Sequence, residues 1–219
     1  MCQLLMASTG DDLSLGRLPD DVLASSGQFA TFRRRQFLTG RALLADAMFT
    51  QHGHRTLPAI MLSPSGKPAF ADATLPYFSL SHSADRVVLA LCGKGEIGCD
   101  VEVIRPRPSW PGLAQALFSA AENQWLSEHH TPLEAFWTLW SLREAWLKQQ
   151  GRSIWEMASI AINPQPQRDC ATPATPVQLW SARWQEYTVA LALPENILPP
   201  TGLIPREKWC GYPAWVVRD

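Results

Sequence analysis

The chain has 219 residues, which is enough for one large domain or for two of about a hundred residues each. Hydrophobic residues make up 46% and charged residues 18%, a composition that excludes a disordered, fibrous or coiled-coil protein. The formal net charge of -1 argues against a nucleic-acid partner held by a globally basic surface. No apolar run approaches the roughly 18 residues needed to span a bilayer, so we expect no membrane partner.

The cysteines are odd in number and widely dispersed. They are Cys2, Cys92, Cys99, Cys170 and Cys210. None belongs to a C-x-x-C pair, so the sequence predicts neither a zinc site nor a disulfide framework. The first residues also lack the basic and apolar regions of a secretory signal. We therefore expect reduced thiols in a cytoplasmic protein.

The first half of the chain predicts one long helix followed by strands. Apolar side chains recur near 3.6-residue spacing over about 28–49, which is typical of a helix. Residues 77–81 alternate apolar and hydroxyl side chains, so they predict a strand with one polar side. The apolar run 86–92 predicts a buried strand. With the turn 93–96, the segment 97–104 is then expected to be the return strand of a hairpin.

A segment rich in proline and glycine breaks the chain near its midpoint. Residues 105–112 hold four turn-favouring residues in eight, which cannot extend a strand or a helix interior. We therefore place a linker at 105–112, between an N-terminal half (1–104) and a C-terminal half (113–219).

Two helices are expected after the linker, each with its own start signal. Ser119 with Glu122, and Thr131 with Glu134, fit the capping box, in which a hydroxyl and a carboxylate satisfy the first backbone N–H groups. The second helix is expected to stop before Gly151, a typical C-terminal glycine.

The last part of the chain predicts a second group of strands. Residues 177–180 and 183–193 read as a strand pair, and the Pro-rich tail from Pro194 is expected to wrap the surface. A helix followed by strands thus occurs twice. The predicted fold class is α+β, not a doubly wound parallel sheet.

Two carboxylates in the segment Gly98–Glu102 could bind a cation. On a strand, Asp100 and Glu102 point to one face and repel each other unless a cation or a basic partner lies between them. Oxygen ligands suit a hard ion such as Mg²⁺. The alternative is an exposed strand face with solvated acids.

A third carboxylate lies on the second predicted helix. Glu144 and Lys148 are i,i+4 neighbours on a face that also carries tryptophans. A metal carboxylate beside a phosphate-binding lysine explains both residue types at that spacing. The alternative is a surface ion pair, worth a few tenths of a kcal/mol.

Ser81 and His82, near the end of a predicted strand, could form an anion cradle with nearby backbone N–H groups. The alternative is a histidine satisfied within a turn. A nucleophilic triad is disfavoured, because adjacent strand residues point in opposite directions and no G-x-S-x-G elbow is present. Without a P-loop, phosphate must be held by scattered basic residues. The candidates are Arg33–Arg35, Arg41, Lys67 and Lys148.

In this order and spacing, these segments resemble the 4′-phosphopantetheinyl transferases, specifically the long, monomeric Sfp-type branch. The matching segments are Arg33–Arg34 with Gly40–Leu44, Gly66–Pro68, Phe78–Ser83, Gly98–Glu102 and Phe136–Lys148. They carry the two family signatures, G-x-D-x-E and W-S-x-K-E-x-x-x-K, which are specific as a pair at this separation. Either signature alone is a weak signal.

The resemblance implies an enzyme that transfers the phosphopantetheine arm of coenzyme A to a serine of an apo acyl or peptidyl carrier protein and releases 3′,5′-ADP. It implies that Asp100, Glu102 and Glu144 hold Mg²⁺ with the coenzyme A pyrophosphate. Lys148 would neutralise that pyrophosphate, and Glu144, directly or through a metal-bound water, would be the base for the incoming hydroxyl. The residues implied in coenzyme A binding are Arg41, Gly66, Lys67, Pro68, Ser81, His82 and Lys148.

The resemblance also implies two similar α+β halves related by a pseudo-twofold axis, with the active site in the cleft between them, and a monomer that is sufficient for activity. Carrier proteins of this family are acidic, so a local basic and apolar docking surface is expected. We suggest Arg105, Arg107 and the segment 110–125 for it. The alternative is that the apolar residues of this segment pack the second half.

One position departs from the family pattern, and two other functions compete. Arg143 stands where the family has a lysine, and these residues are not interchangeable at a close phosphate contact. It is the only hint for a non-catalytic paralogue that binds carrier protein or coenzyme A. A Mg²⁺-dependent phosphodiesterase or nuclease would share the carboxylates, but the chain lacks the basic surface that a nucleic-acid substrate demands.

Overall fold

The computed structural model describes residues 2–165 and 177–216, which form an α+β fold, as the sequence predicts. The strands are β1 (Cys2–Ser8), β2 (Ile60–Leu62), β3 (Pro68–Phe70), β4 (Tyr77–Ser83), β5 (Arg86–Cys92), β6 (Gly98–Val103), β7 (Ile160–Ile162), β8 (Val177–Trp184), β9 (Tyr187–Leu193) and β10 (Cys210–Val216). The α-helices are α1 (Asp20–Ser25), α2 (Thr31–His52), α3 (Trp110–Leu117), α4 (Ala120–Glu128) and α5 (Pro132–Gln150). Short 3-10 helices span Ser26–Gln28, Ile154–Ser159 and Arg206–Lys208.

The two long helices each cover a different sheet. The first sheet has the order β1-β5-β4, and the second has the order β6-β9-β8-β10-β7. Helix α2 packs on β5 and β1, whereas α5 packs on β6 and β9. Strands β2 and β3 form a separate hairpin. A sheet must bury its apolar face against another element, and a long helix can cover it. One cluster of buried apolar residues therefore lies between each long helix and its sheet.

The pairing of β6 corrects one expectation. The predicted hairpin between 86–92 and 97–104 is wrong, because β6 pairs antiparallel with β9, from Gly98 opposite Ala192 to Val103 opposite Tyr187. The physical reason is that both edges of β5 are already taken, by β1 on one side and β4 on the other. Strand β6 therefore belongs to the second sheet, although it precedes the Pro-rich segment in the chain.

The first residue of β6 allows α5 to lie directly against the strand. A Cβ atom on Gly98 would stand 1.9 Å from the carbonyl oxygen of Ala145 and 2.6 Å from the backbone nitrogen of Gln149. No side chain fits there, so glycine is required by the close approach of two backbones. This approach brings Glu144 and Lys148 of α5 alongside the acidic face of β6.

The helix ends confirm two of the predicted signals and contradict a third. Ser119 and Glu122 form the complete capping box of α4, and α5 ends at Gly151 in the left-handed conformation. The capping box predicted at Thr131 is wrong, because the side chain of Thr131 makes no capping hydrogen bond. Its hydroxyl instead lies 3.3 Å from Nδ1 of His129.

The tail is not only a surface wrap, because it supplies β10, which lies between β8 and β7. Proline is unusual inside a sheet, since it cannot donate to the ladder. Strand β10 accommodates Pro213 because β10 pairs with β8 up to Ala214 and with β7 only from Ala214 onward. Helix α3 likewise begins at Trp110, within the predicted linker 105–112.

The cysteines differ from the expectation of free thiols. Cys2 and Cys92 lie opposite each other in the register of β1 and β5 and are joined by a disulfide bond. Strand register is a long-range property that cysteine spacing does not reveal, since 90 residues separate the two. Cys99 and Cys210 are free, and Cys170 lies outside the described residues. Among the helices of the described ranges, none has the length and apolarity to cross a membrane.

Candidate active site

Three elements meet at a buried junction of Asp100 on β6, Ser81 on β4 and Lys148 on α5. The ammonium Nζ of Lys148 donates to Oδ1 of Asp100 at 2.7 Å and to Oγ of Ser81 at 2.9 Å. Ser81 in turn donates to Oδ1 of Asp100 at 2.7 Å. The carboxylate of Glu144 lies 3.8 Å from the same ammonium. The predicted acids and lysine therefore face one space, although they come from a strand and a distant helix.

The alternation of β6 explains why its acids point to the site. Cys99, Val101 and Val103 pack into the core, whereas Asp100 and Glu102 take the opposite face, as the sequence predicts. The side chain of Asp100 is only 4% exposed, so this acid is not a solvated group on an open strand face. A buried carboxylate needs charged or hydrogen-bonding partners, and β4 and α5 supply them.

The pKa values of the site follow from burial and, after it, from a surplus of negative charge. Burial, followed by repulsion from Asp100, raises the pKa of Glu102 to about 7. Burial also raises the pKa of Glu144. Burial opposes the charge on Lys148, but attraction to Asp100 and Glu144 outweighs it and raises the pKa of the lysine. One ammonium thus faces three carboxyl groups, and a further cation would relieve their repulsion.

The residues at this junction fit a divalent cation. Among the described residues, no three acidic, histidine or cysteine side chains are already gathered into a metal-binding cluster. However, Oδ2 of Asp100 is buried and has no hydrogen-bond partner within 2–165 and 177–216. A buried carboxylate oxygen without a donor is costly unless a cation completes it. The oxygen-only donor set of Asp100, Glu102 and Glu144 suits Mg²⁺.

A basic cluster borders the acidic junction. The guanidinium of Arg33 contacts Nε2 of His82, and Nη1 of Arg41 is buried without a partner in the described part of the chain. Burial and the positive charges of Arg33 and Lys148 lower the pKa of His82 to about 4, so the imidazole is neutral at pH 7. Burial, followed by repulsion from Arg33, lowers the pKa of Arg41. An anion would stabilise this cluster of like charges.

A cavity of about 230 Å³ opens beside the junction, between β4 of the first sheet and the C-terminal end of α5. Its lining includes four of the predicted residues, namely Gly66, Lys67, Pro68 and Lys148. Lys67 is held by Glu96 and by the carbonyl oxygen of Gln149 at 2.7 Å. Arg41, Ser81 and His82 are not part of this lining.

Sequence reasoning missed two groups near the site, Arg152 and Ser83, and did not single out Arg33 within the candidate run Arg33–Arg35. Arg152 lines the cavity, and Arg33 could not be singled out from its run of three arginines. Ser83 donates to Oε2 of Glu102 at 2.6 Å. The signal for Ser83 was present, because it continues the polar face of β4 that begins with Ser79 and Ser81.

The suggested docking segment is largely structural on its apolar side. Leu113 and Leu117 pack against the core of the second half, as the alternative interpretation held. The guanidinium of Arg107 lies over the rings of Trp137 and Trp140, at 5.7 and 5.2 Å from their centroids. Arg105 is exposed.

The arginine that departs from the family pattern does not face the junction. Arg143 is fully buried and pairs with Glu122 of α4, and its guanidinium lies 4.1 Å from the ring centroid of Phe118. It neighbours Glu144 in sequence, but consecutive helix residues project about 100° apart. The substitution at this position therefore leaves the acids and the lysine of the site unchanged.

This geometry brings an acidic junction and a cavity with basic side chains together in an α+β fold. A family model described as the 4′-phosphopantetheinyl transferase superfamily matches residues 96–192, and the chain belongs to this superfamily. The chain is 42% identical over 150 residues to the 4′-phosphopantetheinyl transferase AcpT of Salmonella typhi, which covers 68% of this chain and 74% of the relative. It is 45% identical over 130 residues to AcpT of Escherichia coli O157:H7, covering 58% and 64% of the respective chains.

A more distant relative aligns over a longer stretch. A putative 4′-phosphopantetheinyl transferase of Haemophilus influenzae is 29% identical over 179 residues, which cover 76% of this chain and 75% of the relative. The family resemblance found in the sequence motifs is thereby confirmed.

Proposed function

We propose that the protein transfers the 4′-phosphopantetheine arm of coenzyme A to a serine hydroxyl of an apo acyl or peptidyl carrier protein, in a Mg²⁺-dependent reaction that releases 3′,5′-ADP. Family membership supports the reaction class. The observation that carries the proposal is the contact of Lys148 with Asp100 at 2.7 Å beside a cavity that the same lysine lines. It joins the acidic junction to the space available for a substrate.

The basic groups match the charge of coenzyme A. Lys67, Lys148 and Arg152 line the cavity, and Pro68, Phe78 and Leu147 give it apolar walls. Such a cavity suits a nucleotide, which has a flat apolar base and anionic phosphates. Arg33 and Arg41 supply positive charge next to it, while the neutral His82 has one ring N–H to donate to a phosphate oxygen.

The reaction needs positioning and charge neutralisation more than covalent chemistry. The serine oxygen of the carrier forms a bond to the phosphorus that bears pantetheine, and the bond from that phosphorus to the bridging oxygen of 3′,5′-ADP breaks. Glu144 takes the serine proton, a role that its raised pKa favours. Lys148 neutralises charge on the leaving group. Mg²⁺, held by Asp100, Glu102 and Glu144, would neutralise the pyrophosphate further.

The remaining features of the proposal concern partners and location. We place the acidic carrier protein at Arg105 and the solvent side of 110–125, where charge complementarity would guide its approach. Monomeric activity and a cytoplasmic location also belong to the proposal. The division at 105–112 and the individual site residues stay predictions of the sequence.

Mass spectrometry of an apo carrier protein tests the proposal directly. After incubation with this protein, coenzyme A and Mg²⁺, the carrier should gain one phosphopantetheine. Asp100→Ala should abolish the gain, whereas Asp72→Ala, which removes an exposed carboxylate in a turn, should not. If several carrier proteins remain unmodified but still bind, the non-catalytic paralogue is the better description.

The structure removes the only hint in favour of that paralogue. The hint was Arg143, and its side chain pairs with Glu122 rather than facing the site. Asp100, Glu144 and Lys148 remain together. A decayed site usually loses such groups, so we favour the active transferase.

A further inference from the structure

Three serines on β4 attach this strand to β6. Ser79, Ser81 and Ser83 alternate along the strand, so their hydroxyls share one face, and each residue is at most 7% exposed. Each hydroxyl bonds to a residue 19 or 20 positions further along the chain, on β6. The two strands are not neighbours in any backbone ladder. Side-chain hydroxyls therefore make the connection that backbone groups make elsewhere in the sheets.

The three hydroxyls differ in the hydrogen bonds that they make. Within the described ranges, the Ser79 hydroxyl makes one hydrogen bond, which it accepts from the backbone N–H of Cys99 at 3.1 Å. Ser83 accepts from the N–H of Val103 at 3.1 Å and also donates to Oε2 of Glu102 at 2.6 Å. Because a hydroxyl has one proton, the backbone bond that it accepts leaves that proton free to be aimed at the carboxylate.

We propose that Ser83 is a positioning residue that fixes Glu102 for cation binding. This inference rests on the proposed function, since it assumes that Glu102 holds the divalent ion. Asp100 has two side-chain partners, Ser81 and Lys148, and Glu144 lies beside the same lysine. Within the described ranges, Glu102 has Ser83 as its only hydrogen-bonding side chain. With one oxygen held by the hydroxyl, the other is left for a cation.

Such outer groups set metal affinity, because a flexible carboxylate must first be ordered before it can bind. Loss of a partner of this kind typically weakens metal binding about 10- to 100-fold. The chain supplies its own control. Ser79 is also a buried serine on the same face of β4 as Ser83, but among the residues that the structure describes its hydroxyl bonds to no carboxylate. A purely structural role would make the two serines equivalent.

The test measures Mn²⁺ binding to the free protein by electron paramagnetic resonance, together with Mg²⁺ titrations of transferase rate and thermal unfolding. Ser83→Ala should weaken Mn²⁺ binding about tenfold or more. It should raise the Mg²⁺ concentration that gives the half-maximal rate by the same factor. Ser79→Ala should change Mn²⁺ affinity less than twofold. It should lower the unfolding temperature by about as much as Ser83→Ala does. Ser83→Thr, which keeps the hydroxyl, should restore Mn²⁺ affinity.

Equal Mn²⁺ affinities for the Ser79→Ala and Ser83→Ala variants would overturn the inference. If Ser83→Ala does not fold, Ser83→Cys retains the size with a weaker donor and should show the same direction of change. In a Glu102→Gln background, Ser83→Ala should weaken Mn²⁺ binding no further, because the two act through one bond. Failure of the proposed function is distinguishable: the wild type would then bind Mn²⁺ without modifying any carrier protein.

Discussion

Arg143 donates through one nitrogen to both carboxylate oxygens of Glu122, at 2.6 and 2.8 Å, and neither side chain reaches solvent. Glu122 also accepts from the backbone N–H groups of Ser119 and Ile162, at 2.7 and 3.3 Å. One carboxylate thereby joins α4, α5 and β7. The pair belongs to the framework that carries the site rather than to the site itself.

Removal of the arginine alone should destabilise the protein severely. Arg143→Met leaves the Glu122 carboxylate buried without its counter-ion, so we expect the free energy of unfolding to fall by about 3–5 kcal/mol. Arg143→Lys keeps a charge that can reach Glu122 and should cost less. Urea denaturation measures both. A stable Arg143→Met protein with no transferase activity would instead place Arg143 in the reaction.

Gly98→Ala should separate α5 from β6. The new Cβ would meet the carbonyl oxygen of Ala145 at 1.9 Å, and backbone atoms cannot move aside as a flexible side chain can. We expect a loss of about 3 kcal/mol or more, or failure to fold. Gly112→Ala is the control, because its Cβ would meet nothing within 4 Å. Thermal unfolding distinguishes them, and a Gly98→Ala protein as stable as wild type would contradict the close approach.

Lys148→Ala should depress turnover far more than it depresses stability. The ammonium is the cation nearest the acidic junction, and loss of a charge-stabilising group commonly lowers turnover about 100- to 1000-fold. Lys94→Ala removes an exposed lysine and serves as the control. Initial rates of carrier modification measure the effect. Near-normal turnover of Lys148→Ala would mean that Lys148 only holds Asp100 and Glu144 in the fold and takes no part in the reaction.

Tyr187→Phe should change stability in a pH-dependent way. The hydroxyl of Tyr187 donates to Asp85 at 2.7 Å, and this bond is the main cause of the lowered pKa of Asp85. A carboxyl with a depressed folded-state pKa stabilises the fold above its unfolded value of about 3.9, and this contribution is lost as the pH falls through the folded value.

We therefore expect Tyr187→Phe to be about 1 kcal/mol less stable than wild type at pH 7, a figure reduced for the partial exposure of Asp85. The difference should shrink as the pH falls below about 4. Urea denaturation across this range measures it. Tyr212→Phe, which removes a buried hydroxyl from β10, should show a difference that does not vary with acid pH. If the stability difference between Tyr187→Phe and wild type did not change with pH, the Tyr187 hydroxyl would not be the cause of the lowered pKa of Asp85.

Local patterns predicted the elements well where neighbours along the chain decide the outcome. The apolar run 86–92 coincides with β5, Ser119 caps α4, and Gly151 ends α5. The alternation of Asp100 and Glu102 also placed both acids on the face that meets Lys148. These features depend on side-chain periodicity and backbone chemistry within a few residues.

The features that escaped prediction depend on which strands share an edge. The sequence offered β6 as the neighbour of β5, but both edges of β5 were filled, one of them by β1 from the start of the chain. The role of Arg143 depends on a partner 21 residues away. The apposition of Cys2 and Cys92 depends on register over 90 residues. None of these long-range pairings produces a periodic pattern in the sequence from which it could be predicted.

The membership of β6 in the second sheet decides where the polypeptide could be divided into complementing fragments. A cut at 105–112 would carry β6 away from β9 and expose the unpaired N–H and C=O groups of an edge strand, which invites self-association. A cut at 93–96 would leave both sheets whole. The proposed active site would then re-form only on reassociation of the pieces, because its hydroxyls would reside on one fragment and its acids on the other.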